Sequence, residues 1–359
     1  MIYLDNAATT PVTDEVLNEM LPYFKEQYGN PSSLHLMGRV AKKAITKAKC
    51  QVAEAINADP DQIFFTSSAT ESNNWVCSNY KHVISSPVEH HSILTNPNIA
   101  GVINNTYSIE RHISNLRNSG LADILVSHIW VNNETGEIYD ISEMIATCRN
   151  LIVPFHTDAT QAFGHIPINV KKFDCDYLTL AGHKFHCCKG IGVLYVKNPK
   201  TLEPMLYGGG QQNNLRSSTE AVPLIVGIGK AAELYNYNTA AEQCIKTLRN
   251  ELKDFITGNI PDVIINETEN HVNNILSVAF KGVESERLML TLDSMGICVS
   301  SGSACSSRSR GISATTEALN LPEDYANGVI RFSFSSLNTL EEIKKTETEL
   351  SMAVKMIRR

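Results

Sequence analysis

Four short segments of this sequence carry side chains that could do chemistry, and three of them follow apolar runs of strand length. In residues 66–74, Thr66-Ser67-Ser68-Ala69-Thr70-Glu71-Ser72-Asn73-Asn74, an apolar run gives way to small hydroxylated residues and then to a helix beginning near Thr70. The N–H groups and dipole of such a helix start suit a phosphate, although a segment rich in Ser and Thr is equally an ordinary N-cap. In residues 155–161 an apolar run delivers Asp158 at its end. A carboxylate buried there needs a cation, a metal or hydrogen bonds to stay charged. In residues 181–186, Ala181-Gly182-His183-Lys184-Phe185-His186, a strand-end lysine is a candidate amine for Schiff-base chemistry, whereas a lysine in isolation is usually a surface residue. The fourth segment, residues 299–308, is almost entirely small and centres on Cys305. A cysteine in such a run packs against little, and Arg308 and Arg310 would favour its thiolate, so the segment reads as a thiol on a movable arm.

Together these features mean more than they do singly. Pyridoxal phosphate requires donors for its phosphate, a carboxylate for its pyridinium nitrogen and an amine for its aldehyde. The helix start at 66–70, Asp158 and Lys184 supply those three in order, and His90, in Val88-Glu89-His90-His91, also follows a strand and could lie flat on the pyridine ring. Gly208-Gly209-Gly210 raises the thought of a nicotinamide enzyme, but no G-x-G-x-x-G opens a βαβ unit near the start.

The elements that position these residues alternate between two periods. Residues 39–56 place Val40, Ala44, Ile45, Ala48, Val52, Ala55 and Ile56 on one helical stripe with lysines off it. Short apolar runs recur at 63–66, 82–85, 124–131, 152–156, 177–180 and 192–196. Helices alternating with buried strands predict an α/β fold with a mainly parallel sheet, whose ligands bind beyond the carboxyl ends of the strands. After about residue 235 the texture changes to a long helix near 240–256, a strand at 273–280, a helix at 285–295, a strand at 328–334 and a helix at 340–357. This predicts a smaller α+β C-terminal domain. The expected division is 15–240 for the large domain, and 1–14 with 241–359 for the small one carrying the Cys305 loop.

Composition narrows the function class. The 359 residues include 31 Lys and Arg against 38 Asp and Glu, a formal charge of −7, which argues against nucleic acid as a direct partner. No apolar run is long enough for a membrane span, and the start MIYLDNAATT reads as structure rather than a leader, so a cytoplasmic protein is expected. Nine cysteines without a regular framework are expected to stay reduced, mostly as small buried hydrophobes, with no metal site.

In order along the whole chain, the sequence resembles the NifS/IscS-like cysteine desulfurases, within the class V aminotransferase branch of the fold-type-I pyridoxal phosphate enzymes. The resemblance rests on YLDNAATT at the start, YGNPSSLH at 28–35, TSSATESNN at 66–74, VEHHSI at 88–93, VNNETG at 131–136 and FHTDATQA at 155–162. It continues through GHKFH at 182–186, GGGQ at 208–211, RSST at 216–219, SSGSACSS at 300–307 and IRFSFS at 330–335. It implies a seven-stranded, mainly parallel sheet in the large domain, pyridoxal 5′-phosphate as cofactor and L-cysteine as substrate. Lys184 would carry the cofactor, Asp158 face the pyridinium nitrogen, Gln161 the phenolic oxygen, and His90 stack on the ring and assist proton transfer. Ala69, Thr70 and His183 would hold the phosphate, with Thr219 reaching across a homodimer to the other protomer's cofactor. Asn6, Asn133 and Arg331 would bind the substrate, Arg331 as a bidentate clamp on its carboxylate. Cys305 would take the sulfur as a persulfide, leaving L-alanine, and pass it to an acceptor protein of iron–sulfur cluster assembly or tRNA thiolation. Two other readings fit the residues less well: a selenocysteine lyase or other cysteine-family lyase, which has no need of Cys305, and a non-catalytic sulfur-carrier subunit, which has no need of Lys184. The chain departs from the family pattern at Ala181, where a phosphate-binding Ser is usual, at Ser68 and Ser218, where Gly is usual, at Cys187-Cys188, and at Ser336-Leu337, where a second Arg is often found. A long C-terminal extension that docks a scaffold in some members is not expected here.

Overall fold

A computed structural model describes residues 1–103, 106–302 and 313–358, with the side chains of 106 and 107 excepted. The chain forms two compact units, one made of Pro11–Trp130 and Asp140–Tyr237, the other of Met1–Thr10, Val131–Tyr139 and Asn238–Arg359. Among the described residues no helix is long and apolar enough to cross a membrane.

The larger unit is built on a seven-stranded sheet. Its strand order is Ile63–Thr66, Gly192–Val196, Tyr177–Ala181, Phe155–Asp158, Ile124–Ile129, His82–Ser85 and Ile99–Val102. The last five pair in parallel, and Gly192–Val196 runs antiparallel to both of its neighbours. Apolar runs mark this fold because four central strands, Ile124–Ile129, Phe155–Asp158, Tyr177–Ala181 and Gly192–Val196, and the edge strand Ile63–Thr66 are buried along their whole length. The edge strand Ile99–Val102 leaves no comparable trace, because it is half-exposed and carries Ala and Gly between its two apolar ends. On the opposite edge, Gln212 acts as a one-residue strand, donating from Nε2 to the Phe65 carbonyl at 2.6 Å and accepting from the Phe65 N–H at 2.7 Å. That occupies backbone groups an edge would otherwise present for mispairing.

Two boundaries differ from the periodicity. The run at 152–156 yields a strand only from Phe155, because the helix Ile141–Asn150 ends by drawing in the next three residues. The N–H groups of Leu151, Ile152 and Val153 donate back to Thr147, Arg149 and Cys148, which turns Ile152 out to 89% exposure at φ 53°. The strand then continues to Asp158, so the carboxylate belongs to the ladder itself, with Ile129 and Thr179 as its neighbours. The amphipathic helix begins earlier than its stripe, at Leu36, because the His35 side chain caps it by accepting from the Gly38 N–H. It ends at Ile56, where Asn57 takes the left-handed conformation.

The smaller unit is α+β. A three-stranded antiparallel sheet, Val329–Ser333, Ile275–Phe280 and Val263–Ile265, packs with the helices Thr239–Asn259, Ser285–Ser294 and Leu340–Ile357 around Leu252, Ile256, Val278, Ile330, Phe332 and Leu350. A parallel two-stranded ribbon joins Ile2–Tyr3 to Ile297–Cys298, and strands this short have no periodicity to read.

In the larger unit the helices Leu36–Ile56 and Val222–Leu234 approach closely at Gly229, where a Cβ would lie 2.7 Å from the Ala48 Cα and Cβ. Gly229→Val is therefore expected to destabilise the protein by about 1–3 kcal/mol. The measurement is a lowered urea midpoint at unchanged slope, and a wild-type midpoint would show that the helices part without cost.

Candidate active site

The turn after Ile63–Thr66 is knitted by its own side chains. Thr66 Oγ1 donates to the Ser68 carbonyl at 3.0 Å and lies 2.7 Å from Ser72 Oγ. Ser68 caps the helix Ala69–Ser78, accepting from the Glu71 N–H at 3.2 Å. Glu71 Oε2 in turn accepts from the Ser67 N–H at 2.7 Å. Arg216 forks onto the same carboxylate, Nε to Oε1 at 2.8 Å and Nη2 to Oε2 at 3.0 Å, with both side chains mostly buried. Burial alone would raise the Glu71 carboxyl, but the Arg216 and Ser67 donors outweigh it and hold the group below its ordinary range. The backbone also needs room here: a Cβ on Gly192 would lie 2.6 Å from the Ser68 carbonyl carbon. With Glu71 and Ser67 engaged, Ala69 and Thr70 are the first-turn residues whose N–H groups helix geometry leaves over, and the Thr70 side chain is exposed. On the adjoining strand Ala181 is buried and offers a methyl where a hydroxyl would be a donor.

Asp158 is 3% exposed, yet both of its oxygens meet N–H donors. Oδ2 accepts from Asn73 Nδ2 at 2.7 Å and Oδ1 from the Thr160 backbone at 3.0 Å. The second Asn73 amide hydrogen goes to Ser92 Oγ at 2.9 Å, and Ser92 Oγ lies 2.8 Å from His90 Nδ1. Burial lowers the His90 imidazole, opposed by the Asp158 carboxylate and reinforced by Lys184 and His91. Glu89 lies beneath, accepting on Oε1 from Ser86 Oγ at 2.9 Å and the Ile129 N–H at 2.7 Å. Burial pushes its carboxyl up to about 8, so it is neutral at pH 7 and adds no second negative charge beside Asp158.

Lys184 ends the short turn Gly182–Lys184 directly after Tyr177–Ala181. The N–H groups of Phe185 and Cys187 both return to the Gly182 carbonyl at 3.1 Å, closing the loop around His183 and Lys184. Burial, with Lys184, Lys189 and His90 nearby, lowers His183 to about 4, leaving a neutral ring. Gln161 is buried one turn beyond Asp158, and Thr219 is exposed beyond the Ser217 and Ser218 anchors. Thus Ala69, Thr70, His90, Asp158, Gln161, His183, Lys184 and Thr219 all belong to the larger unit.

Asn6, Asn133 and Arg331 belong to the smaller unit. Arg331 is 1% exposed, with Nη2 donating to Asp5 Oδ1 at 2.8 Å, Nη1 to the Asn133 carbonyl at 2.6 Å, and Nε buried without a partner. Asn6 commits its Nδ2 to Tyr3, Ser333 and Asn338, which ties the N-terminal segment to the strand Val329–Ser333. Ser300 exchanges both backbone bonds with Arg331, at 3.2 and 2.7 Å. Glu134 joins the two ends of the segment that follows. Its Oε2 accepts from Ser313 Oγ at 2.6 Å, and Gly302, at φ 87°, comes so near that a Cβ would lie 3.1 Å from that oxygen. Cys305, Arg308 and Arg310 lie outside the described residues.

Several residues inside recognisable motifs have work that sequence reasoning passed over. Asn73, Ser92, Glu89, Glu71 and Glu134 act on other protein groups, and only their placement reveals it. The lone signal was their position within segments already marked for chemistry.

Comparison with known proteins finds relatives along nearly the whole chain. A family model described as aminotransferase class-V matches residues 2–346. A cysteine desulfurase IscS of Methanosarcina thermophila is 39% identical over 364 residues, covering 96% of this chain and 89% of that protein. The X-ray structure of a NifS-like protein from Rickettsia africae superposes with a TM-score of 0.88 at 31% identity, covering 99% of each chain. A structure of SspA in complex with cysteine gives a TM-score of 0.80 at 29% identity, covering 94% of this chain and 100% of that one.

The Glu71–Arg216 fork makes a pH-dependent contribution. Because the folded carboxyl titrates below its unfolded value, its stabilisation is complete above the unfolded pKa and is lost as pH falls through the folded one. Glu71→Gln is expected to cost about 1–2 kcal/mol at pH 7, with the difference from wild type shrinking below about pH 4.5. Urea titrations across that range measure it, and a difference independent of pH would remove the charge from the explanation.

Proposed function

Because the chain belongs to the class-V aminotransferase family, and within it to the cysteine desulfurases, we propose that it binds pyridoxal 5′-phosphate and removes sulfur from L-cysteine through the residues named above. The carrying observation is the grouping in one unit of the buried Asp158 carboxylate, His90, whose charge state feels both Asp158 and Lys184, and the Lys184 turn. The donor chemistry fits the cofactor. Asp158 is a buried anion held by neutral N–H groups, which suits a pyridinium opposite it. The close approach at Gly192 accompanies a helix start whose Ala69 and Thr70 N–H groups suit a phosphate, to which His183 would add a ring and Thr219 of a second protomer a hydroxyl.

When bound, pyridoxal phosphate acts as an electron sink for the substrate α-carbon and so loosens the carbon–sulfur bond beyond it. Lys184 is the amine that would hold the cofactor's aldehyde, and as a free amine it would take and return the proton at the substrate α-carbon. Gln161 would donate to the cofactor's phenolic oxygen, and His90 would face its ring as a neutral imidazole. In the smaller unit Arg331 receives the substrate carboxylate; its buried, unpartnered Nε is a donor that a carboxylate satisfies. Asn133, whose carbonyl orients that guanidinium, and Asn6 complete the substrate set. The Cys305 thiolate attacks the substrate sulfur, an S–S bond forms as the C–S bond breaks, and the electron pair left on carbon is protonated to give L-alanine. The persulfide sulfur passes to an acceptor protein in the reducing cytoplasm.

A homodimer suits this reading. Leu17, Leu21, Phe24, Tyr28, Leu34 and Leu36 are all exposed within one short stretch of the larger unit, apolar surface that a second copy would cover.

The decisive experiment incubates the protein with L-cysteine and reductant and measures sulfide and alanine, which are expected in equal amounts. Lys184→Ala is expected to lose the cofactor–lysine absorbance; a surviving band overturns that role. Cys305→Ser is expected to keep the absorbance and lose sulfide and alanine, and normal turnover would assign the nucleophile elsewhere. Ala181→Ser, which restores a hydroxyl at the strand end, is expected to tighten cofactor binding about threefold to tenfold; an unchanged dissociation constant would mean that other donors suffice.

A further inference from the structure

We propose that Asn73 and Ser92 are positioning residues that link the Asp158 carboxylate to the His90 imidazole and fix which His90 nitrogen carries the proton. The proposal rests on the roles given to Asp158 and His90 above and adds the two residues between them.

The direction of every bond in the chain follows from the donors available. Asn73 is wholly buried, and its two Nδ2 hydrogens meet Asp158 Oδ2 at 2.7 Å and Ser92 Oγ at 2.9 Å. The reversed amide would set Oδ1 against a carboxylate, so the chemistry allows one orientation. In that orientation Oδ1 is buried without a partner, a penalty that needs an explanation beyond packing. At the other end the Ser92 backbone N–H donates to His90 Nδ1 at 3.1 Å, so Nδ1 carries no hydrogen. Ser92 Oγ, 2.8 Å from the same nitrogen, must then donate as well, and the hydrogen it receives comes from Asn73. Nε2 is left as the protonated nitrogen of a neutral ring.

Four charged or titratable groups bear on His90: Asp158, Lys184 and His91, with His183 on the Lys184 turn. Asp158 favours a charged imidazole, and the others and burial oppose it. The relay tips this balance by filling Nδ1 with donors and by spending part of the Asp158 charge on Asn73. His90 can then lie beside a cationic pyridine without repulsion and present an N–H to the reacting atoms.

The test uses holoenzyme labelled with ¹⁵N-histidine, titrated with pH, alongside the pH profile of kcat/KM and the cofactor absorbance. The variants are Asn73→Leu, Ser92→Ala, Ser92→Thr and the Asn73→Leu/Ser92→Ala double. Wild type is expected to show His90 unprotonated at Nδ1 and protonated at Nε2. Asn73→Leu and Ser92→Ala are each expected to raise the pH at which His90 protonates by about one unit, with the acid limb of kcat/KM moving equally and the cofactor still bound. Ser92→Thr is expected to restore the wild-type profile, and the double variant to shift no further than the larger single one, because both break one chain. A wild-type His90 protonated at Nδ1, titrations unmoved by either single variant, or strictly additive shifts would each overturn the relay. If Asn73→Leu fails to fold, the Ser92 pair decides alone. Absence of cofactor absorbance in the wild type would count against the cofactor reading, while the His90 nitrogen signals would still judge the relay.

Discussion

A carboxylate taken out of water at the end of a central strand is the constraint around which the larger unit is arranged. Asp158 lies in the sheet ladder between Ile129 and Thr179, where an uncompensated charge would be costly. Several neighbouring groups suit that charge. Asn73 and the Thr160 N–H supply donors, and Glu89 stays neutral. His156, one residue inward of Thr157, is wholly buried between Ser127 Oγ and Thr179 Oγ1, and burial lowers it to about 4, so it too is uncharged. A buried carboxylate with neutral Glu89 and His156 beside it is an electrostatic setting that favours a cation opposite it.

The turn at 66–70 and the buried arginine divide their polar groups in a similar way. The turn at 66–70 is held open because Glu71 and Arg216 satisfy each other and the Ser67 N–H, leaving the amides next to them unspent. In the smaller unit Arg331 is held by Asp5 and the Asn133 carbonyl while its Nε stays buried and unmatched. Segment Val131–Tyr139 organises that unit: Asn133 orients Arg331, and Glu134 gathers Gly302 and Ser313, the two ends of the stretch that contains Cys305. At both places neighbouring residues take up most of the polar demand, and at Arg331 one buried donor is left over.

Much of this was legible before folding was considered. The strands at 63–66, 82–85, 177–181 and 192–196 announce themselves because strands of a sheet covered on both faces are apolar nearly throughout. The segments holding Thr70, Asp158 and Lys184 stand out only together, because a helix start, a strand-end acid and a strand-end amine in that order match the needs of one cofactor. The edge strand Ile99–Val102 and the ribbon Ile2–Tyr3 with Ile297–Cys298 were not legible, since short or half-exposed strands carry no period. Ile152, apolar and β-branched, looked like strand and became the exposed end of a helix, because backbone hydrogen bonds outbid its propensity.

By itself the sequence determined the class of fold, the order of the reactive segments and their family. All three are written in local patterns of residue type, which need no knowledge of what lies across the molecule. Tertiary structure alone decided the protonation and direction of the groups that would do the work. That His90 is neutral with its proton on Nε2, that Glu89 is uncharged and that Glu71 is spent on Arg216 depend on partners between two and 145 residues away. Hydrogen-bond direction and desolvation are set by what surrounds an atom in space, and no periodicity along the chain encodes that.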